Sequence, residues 1–193
     1  MELPRSTVYG RIIAKDKLFD YGDANRNLQD VIARQVGRIR WANKIAPGTM
    51  SLIPDEDVLE IELIEIELRL PLADLDRRIL PLIAKAIPYQ LLFMLVEGEK
   101  NDYAVVYGGK VYHNETAPKI IGNNTKLVWE NLVRQIVGLP IDNTDLGEAV
   151  SARERLTKLK KRIESLEAKA RSERQPRRKL EYANEIKRLK ELL

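Results

Sequence analysis

The 193-residue sequence contains no cysteine. Disulfide bonds, thiolate zinc sites, iron–sulfur clusters and cysteine nucleophiles are therefore excluded. His113 is the only histidine, so a histidine-based metal site or a Ser-His-Asp relay would depend on this one residue. Glycine-rich phosphate-binding loops of the two standard patterns are also absent. From these absences we expect no cofactor and no metal.

Long apolar runs are missing as well. No stretch approaches the roughly 18 apolar residues that a membrane-spanning helix needs. The first residues, Met1–Ser6, lack the hydrophobic segment of a signal peptide. Hydrophobic residues nevertheless make up 44% of the chain, which is enough for a packed core. We therefore expect a folded cytoplasmic protein that makes no contact with a membrane.

Charge is distributed unevenly along the chain, although the formal net charge is only +4. Residues 151–193 contain 15 Lys and Arg against 7 Glu, a net charge of +8. Residues 1–150 contain 18 basic and 22 acidic side chains, a net charge of −4. Such asymmetry bears on solubility and on binding partners. It predicts an acidic body followed by a basic arm.

The pattern of residues 1–143 predicts an α+β domain. Its fold should be a mostly antiparallel sheet of about four strands packed by three helices. Residues 1–26 show little periodicity and are expected to be irregular. The predicted helices are 27–43, a segment that Asp74 caps and that Pro81 kinks or splits, and a segment that starts near Thr125 and ends at Gly138. The predicted strands are 58–70, 91–96, 103–107 and 110–113, the last two joined by a Gly108-Gly109 turn.

The 58–70 strand changes the phase of its alternation near Leu63-Ile64. Either a β-bulge lies there or the strand passes from one burial environment to another. Glutamates fill the complementary positions, which is typical of side chains that point outward from a sheet buried on one side.

Residues 144–193 form the second predicted domain, after a boundary at Leu139–Thr144. Apolar residues there follow one another in steps of three and four, which is the heptad period of a coiled coil. Pro176 interrupts the pattern, so we predict a helical hairpin with its tip near Arg174–Arg177; one long kinked helix is the alternative. The apolar face would pair with the second helix, with another copy of the chain, or with a different protein. The residues expected to form this contact are Leu156, Leu159, Ile163, Leu166, Ile186 and Leu189.

Five cations lie close together around the predicted tip, opposed only by Glu173. Clustered cations on an exposed helix end attract the phosphates of DNA or RNA. The alternative is an ordinary solvated face of a coiled coil. The cations are Arg171, Arg174, Arg177, Arg178 and Lys179.

A second candidate site involves carboxylates of the 58–70 strand. Pro54-Asp55 followed by Glu67-Leu68-Arg69 loosely resembles the Pro-Asp…Glu-x-Lys layout of nucleases, in which two carboxylates hold Mg²⁺. The candidate catalytic residues of this alternative are Asp55, Glu65, Glu67 and Arg69. An arginine does not readily release a proton as the lysine can, and both halves of the motif fall on or beside a single predicted strand.

Several ordered segments together resemble the prokaryotic family DUF4391, a domain of unknown function. The segments are Leu3–Thr7, Trp41–Pro47, Glu65–Arg69, Ala86–Tyr89, the Glu130–Ile136 helix and the basic tail. Members often have a lysine at the position of Arg69 and usually lack proline at Pro81 and Pro176. The family carries no established activity. Its members are commonly encoded beside helicases and DNA methyltransferases, in clusters like those of restriction or phage defence.

The sequence therefore favours a non-catalytic accessory or interaction protein. The body would bind a partner such as a helicase or methyltransferase, and the basic arm would contact DNA or RNA or support homo-oligomerisation. A magnesium-dependent nuclease with a degenerate site is the alternative, and a purely structural oligomeriser is a third possibility.

Overall fold

The computed structural model describes residues 1–192, which form two compact units. Met1–Ile141 contains the sheet and is called the sheet unit here. Asp142–Leu193 contains two helices and is called the helical unit.

The sheet unit contains six strands and four helices. The strands are β1 (Val8–Ile12), β2 (Val36–Ile45), β3 (Ile61–Leu68), β4 (Gln90–Glu97), β5 (Lys100–Tyr107) and β6 (Lys110–Asn114). The helices are α1 (Lys15–Gly22), α2 (Arg26–Gln35), α3 (Ile79–Ala86) and α4 (Thr125–Val137), with short 3-10 turns at Arg5–Thr7 and Leu72–Asp74.

The six strands form one sheet in the order β1-β2-β3-β4-β5-β6. Every neighbouring pair is antiparallel except β3 and β4, which run parallel and are connected through α3. A parallel connection needs a crossover of this kind. Tight turns join β4 to β5 and β5 to β6, whereas α1 and α2 lie between β1 and β2 and a longer loop joins β2 to β3. The α+β fold class is confirmed, and the expected number of about four strands is too low.

The sheet is covered on both faces at its centre. One face packs on α1, α2 and α3 through a core cluster that includes Ile64, Phe93 and Leu95, each at most 1% exposed. Residues of opposite parity on the same strands, such as Leu63 and Leu92, are also buried. Helix α4 packs against β5 and β6 and contributes buried residues that lie outside the first cluster.

Burial on both sides explains why the apolar alternation of β3 changes phase. The register of β3 against β4 runs without a shift from Ile61 to Glu67. The irregularity lies instead in the neighbouring strand β2, where Trp41 pairs with Ile64 and Asn43 with Leu63, leaving Ala42 as the extra residue.

The remaining corrections concern element boundaries. The helix predicted for residues 27–43 ends at Gln35 and the chain continues as β2, so that Trp41 lies on a strand. The first 26 residues are not irregular, because they contain β1 and α1. Asp74 ends a 3-10 turn and does not cap α3, whose first turn accommodates Pro81. The Gly108-Gly109 turn is confirmed, with φ of 56° and 74°.

The helical unit consists of α5 (Leu146–Ser172) and α6 (Pro176–Lys190), which pack against each other. The Asp145 side chain accepts a hydrogen bond from Glu148 N at 2.8 Å and caps α5. Pro176 occupies the first turn of α6, where its missing N–H has no cost. Ile163 and Leu166 are buried and Leu159, Ile186 and Leu189 are half-buried, whereas Leu156 is 38% exposed. The heptad residues are therefore only partly covered.

None of the helices in residues 1–192 has the length and apolar character required to cross a bilayer.

Candidate functional site

The basic junction between α5 and α6 is the first candidate site. It comprises the predicted cations Arg171, Arg174, Arg177, Arg178 and Lys179, all of which are exposed to solvent. Glu173 and Gln175 have extended backbones and separate the two helices. Glu173 Oε1 accepts a hydrogen bond from Gln175 N at 3.0 Å. The five cations thus lie at the end of α5, in the short junction and at the start of α6.

Most of these cations have no carboxylate partner. Arg177 lies 3.5 Å from Glu181, one turn further along α6. Arg174, Arg178 and Lys179 form no ion pair with any residue of the part of the chain that the structure describes. Cations without a protein partner are free to neutralise phosphates and release the counterions that surround a nucleic acid.

The difference in net charge between the two units is smaller than the difference between residues 1–150 and 151–193. The boundary at Ile141 gives the helical unit 15 basic and 10 acidic residues, a net charge of +5, and the sheet unit a net charge of −1. Asp142, Asp145 and Glu148, at the start of α5, account for the difference. The sheet unit is thus nearly neutral, and the excess positive charge lies further along the two helices.

The carboxylates of the nuclease alternative do not converge. Glu65 forms an ion pair with Arg40 of β2 at 2.5 Å, and Glu67 is exposed near the end of β3. Asp55 lies in the loop before β3, where it accepts a hydrogen bond from Asp57 N at 2.9 Å, and Arg69 donates to the Ala33 carbonyl at 2.8 Å. Within residues 1–192, no group of three or more His, Asp or Glu side chains could hold a metal ion.

His113 lies on β6, where its Nδ1 is 3.2 Å from Asp102 Oδ1 of β5. Burial raises the pKa of Asp102, while the contact with His113 acts in the opposite direction. The pair lies between two clefts of about 270 and 640 Å³ beside the Leu72–Asp74 turn. Neither cleft is lined by a serine or threonine, the residues that most often supply a hydroxyl nucleophile.

The buried Glu62 and the half-buried Glu60 belong to a site that the sequence did not reveal. Glu62 of β3 has no exposed surface, and its Oε2 accepts a hydrogen bond from Trp41 Nε1. Glu60 forms an ion pair with Lys44, which raises the pKa of that lysine. We call Trp41, Lys44, Glu60 and Glu62 the carboxyl cluster.

Glu62 remains protonated to an unusually high pH. Burial raises its pKa to about 8, although the hydrogen bond from Trp41 opposes this shift; the neighbouring Glu60 raises it further. Glu62 Oε1 has no hydrogen-bond donor among residues 1–192. If Glu62 Oε1 carries the proton, it needs no hydrogen-bond donor, because the protonated carboxyl can itself donate to Glu60.

Three separated segments meet around the carboxyl cluster. Asn43 Nδ2 donates to Thr7 Oγ1 at 2.8 Å, which connects β2 to the amino-terminal turn. Tyr89, just before β4, lies near enough to Lys44 to favour its charged form. Alternation along β3 could not single out Glu62, because nothing in the sequence distinguishes it from three other glutamates that turn out to be more exposed.

The arrangement defines an α+β protein with a basic helical appendage and a buried carboxyl cluster, and without a metal-binding group in the described residues. The family described as "Domain of unknown function (DUF4391)" matches residues 1–117 and 110–193. The chain therefore belongs to this family. No curated protein and no solved structure matches it.

Proposed function

We propose that this protein is a non-catalytic interaction protein that contacts the phosphates of DNA or RNA through the basic junction of α5 and α6. The observation that carries this proposal is the group of exposed cations Arg174, Arg178 and Lys179, which have no ion-pair partner among the described residues. Unpaired, clustered cations supply the sequence-independent part of nucleic-acid binding.

The partner of the sheet unit is proposed to be a helicase or DNA methyltransferase of a restriction or phage-defence-like system in the cytoplasm. The genetic setting common in the family supports this choice. The nearly neutral sheet unit gives no charge argument for a partner, so contacts with such a partner would rest on shape and apolar area.

Self-association through the heptad residues is a further part of the proposal. Leu156 is 38% exposed, and Leu159, Ile186 and Leu189 are only half-buried, so that part of the apolar stripe is available to another copy. Light scattering on the full chain would then give a multiple of the 22.2 kDa chain mass.

The Arg174/Arg178/Lys179→Ala variant tests the nucleic-acid contact. We expect its affinity for a duplex DNA of about 20 base pairs to fall tenfold or more at roughly 50 mM salt, because three phosphate contacts are lost. Fluorescence anisotropy of a labelled duplex measures this change.

A charge-matched control is available on the same helix pair. Arg155, Lys158 and Arg162 are exposed and lie in α5 away from the junction. Their replacement by alanine removes the same formal charge, and it should weaken binding much less than the junction variant. Equal losses in the two variants would show that general charge, and not the junction, is responsible.

The nuclease alternative requires Asp55, Glu65 and Glu67 to hold a metal. Asp55 accepts a hydrogen bond from Asp57 N and Glu65 is paired with Arg40, and no group of three or more His, Asp or Glu side chains within residues 1–192 could hold a metal ion. Supercoiled plasmid incubated with the protein and Mg²⁺ or Mn²⁺ separates the two functions. Cleavage that disappears in Glu67→Gln would support the nuclease over the non-catalytic function.

A further inference from the structure

Aromatic and cationic side chains lie next to one another on the edge strand β1 and its neighbour β2. The Tyr9 and Trp41 rings lie 4.8 Å apart between centroids, with a tilt of 48°. The Arg11 guanidinium lies over the Tyr9 ring, 4.8 Å from its centroid. We call Tyr9, Arg11, Trp41 and Lys44 the aromatic patch.

These side chains lie on one face of the sheet because of the register of the strands. Arg11 pairs with Trp41 across β1 and β2, and Lys44 pairs with Glu62 across β2 and β3. The extra residue Ala42 in β2 restores Lys44 to the face that Trp41 occupies. Without that bulge, the indole and the ammonium would point to opposite sides of the sheet.

The patch is accessible to a ligand. Tyr9 is 39% exposed, the Lys44 side chain is 33% exposed, and Arg11 is exposed. Trp41 is half-buried. Strand β1 is an edge strand, and all five of its residues are exposed.

The carboxyls of Glu62 and Glu60 hold two side chains of this patch in place. Glu62 fixes the indole of Trp41 through its Nε1–H, and Glu60 fixes the ammonium of Lys44. Burying a carboxyl costs free energy, which is compensated only in part by one hydrogen bond. Surface side chains that are already fixed lose less rotamer freedom when a ligand binds. Binding surfaces of this kind are called preorganised.

We propose that the aromatic patch binds single-stranded nucleic acid, with a base replacing the Arg11 guanidinium over the Tyr9 ring beside Trp41, and with Arg11 contacting a flanking phosphate. Aromatic rings on a sheet surface, bordered by cations, suit unpaired bases and not a duplex, whose bases are already stacked. This inference does not rest on the proposed function of the basic junction, because the patch and the junction share no residue.

Trp41 itself provides the readout. The other tryptophan, Trp129, is 6% exposed on α4, and Trp129→Phe leaves Trp41 as the only tryptophan emitter. In this background we expect an oligothymidine of about 15 nucleotides to quench the emission in a saturable and salt-sensitive manner. A hairpin duplex of equal length should quench it much less. The Arg174/Arg178/Lys179→Ala variant should retain the quenching, which separates this site from the junction.

Tyr9→Ala should weaken binding of the oligothymidine about tenfold, as expected for the loss of one stacking partner. Tyr21→Ala is the matched control, because Tyr21 is 72% exposed on α1 and should not affect binding. Circular dichroism checks that both variants are folded. Unchanged Trp41 emission, or equal affinities of the Tyr9 and Tyr21 variants, would overturn the proposal and favour a protein contact at this patch.

Discussion

Replacing Glu62 with glutamine should stabilise the sheet unit at pH 8.5 and have little effect at pH 5. At low pH both the carboxyl and the amide are neutral, and both accept a hydrogen bond from Trp41 Nε1. At high pH the native protein must either keep a proton on Glu62 or bury its charge. The amide avoids this cost, and its NH₂ can donate to Glu60.

The direction of the pH dependence follows from the two pKa values. In the unfolded chain Glu62 has an ordinary pKa near 4.5, whereas in the folded protein its pKa is about 8. Between these values the native state binds the additional proton, so that the free energy of unfolding falls as the pH rises. The difference between variant and wild type should grow by about 2–4 kcal/mol across this window.

The charged groups that face Glu62 are Lys44 and Glu60, and Tyr89 lies beside Lys44. Urea unfolding followed by tryptophan fluorescence measures the effect, because Trp41 and Trp129 both lie in the sheet unit. Glu67→Gln is the control, since Glu67 lies on the same strand but is exposed. A constant difference between Glu62→Gln and wild type from pH 5 to pH 8.5 would contradict the protonated buried carboxyl.

The second large effect is expected for Phe93→Ala. Phe93 lies in β4 at the centre of the sheet, has no exposed surface, and is opposite Ala104 of β5. The small side chain of Ala104 cannot fill the space that the ring would leave. Loss of the buried ring and the resulting cavity should lower the free energy of unfolding by about 3–5 kcal/mol.

The same fluorescence-detected urea unfolding tests this expectation. Leu180→Ala serves as the comparison, because Leu180 is 62% exposed in α6, and it should change the stability of the sheet unit by less than about 0.5 kcal/mol. If Phe93→Ala were equally neutral, the core cluster around β4 would be packed differently from the arrangement described above.

The fold was predictable wherever one local signal was dominant. The two glycines at 108 and 109 identified the β5–β6 hairpin, and Pro176 marked the start of α6. The β2 strand was missed because Val36 and Ile39 continue the helical spacing of α2 by coincidence. Gly37 was a warning against a helix there; a Cβ at this position would lie 3.3 Å from the Glu67 carbonyl of the neighbouring strand.

The candidate sites also differ in whether a local sequence signal reveals them. The basic junction could be found from the sequence, because five cations lie within nine consecutive residues. The carboxyl cluster and the aromatic patch could not, because they combine residues from β1, β2 and β3. Their positions depend on strand order and on the bulge at Ala42, and no pattern within a single segment records either of these.

The salt dependence of duplex binding by the full chain counts the phosphates that the basic junction neutralises. Each phosphate that a cation neutralises contributes about 0.9 to the slope of log affinity against log salt concentration. Three or four contacts from the basic junction therefore predict a slope of about −3. A slope near zero, or no measurable binding at about 20 mM salt, would contradict a function based on phosphate contacts.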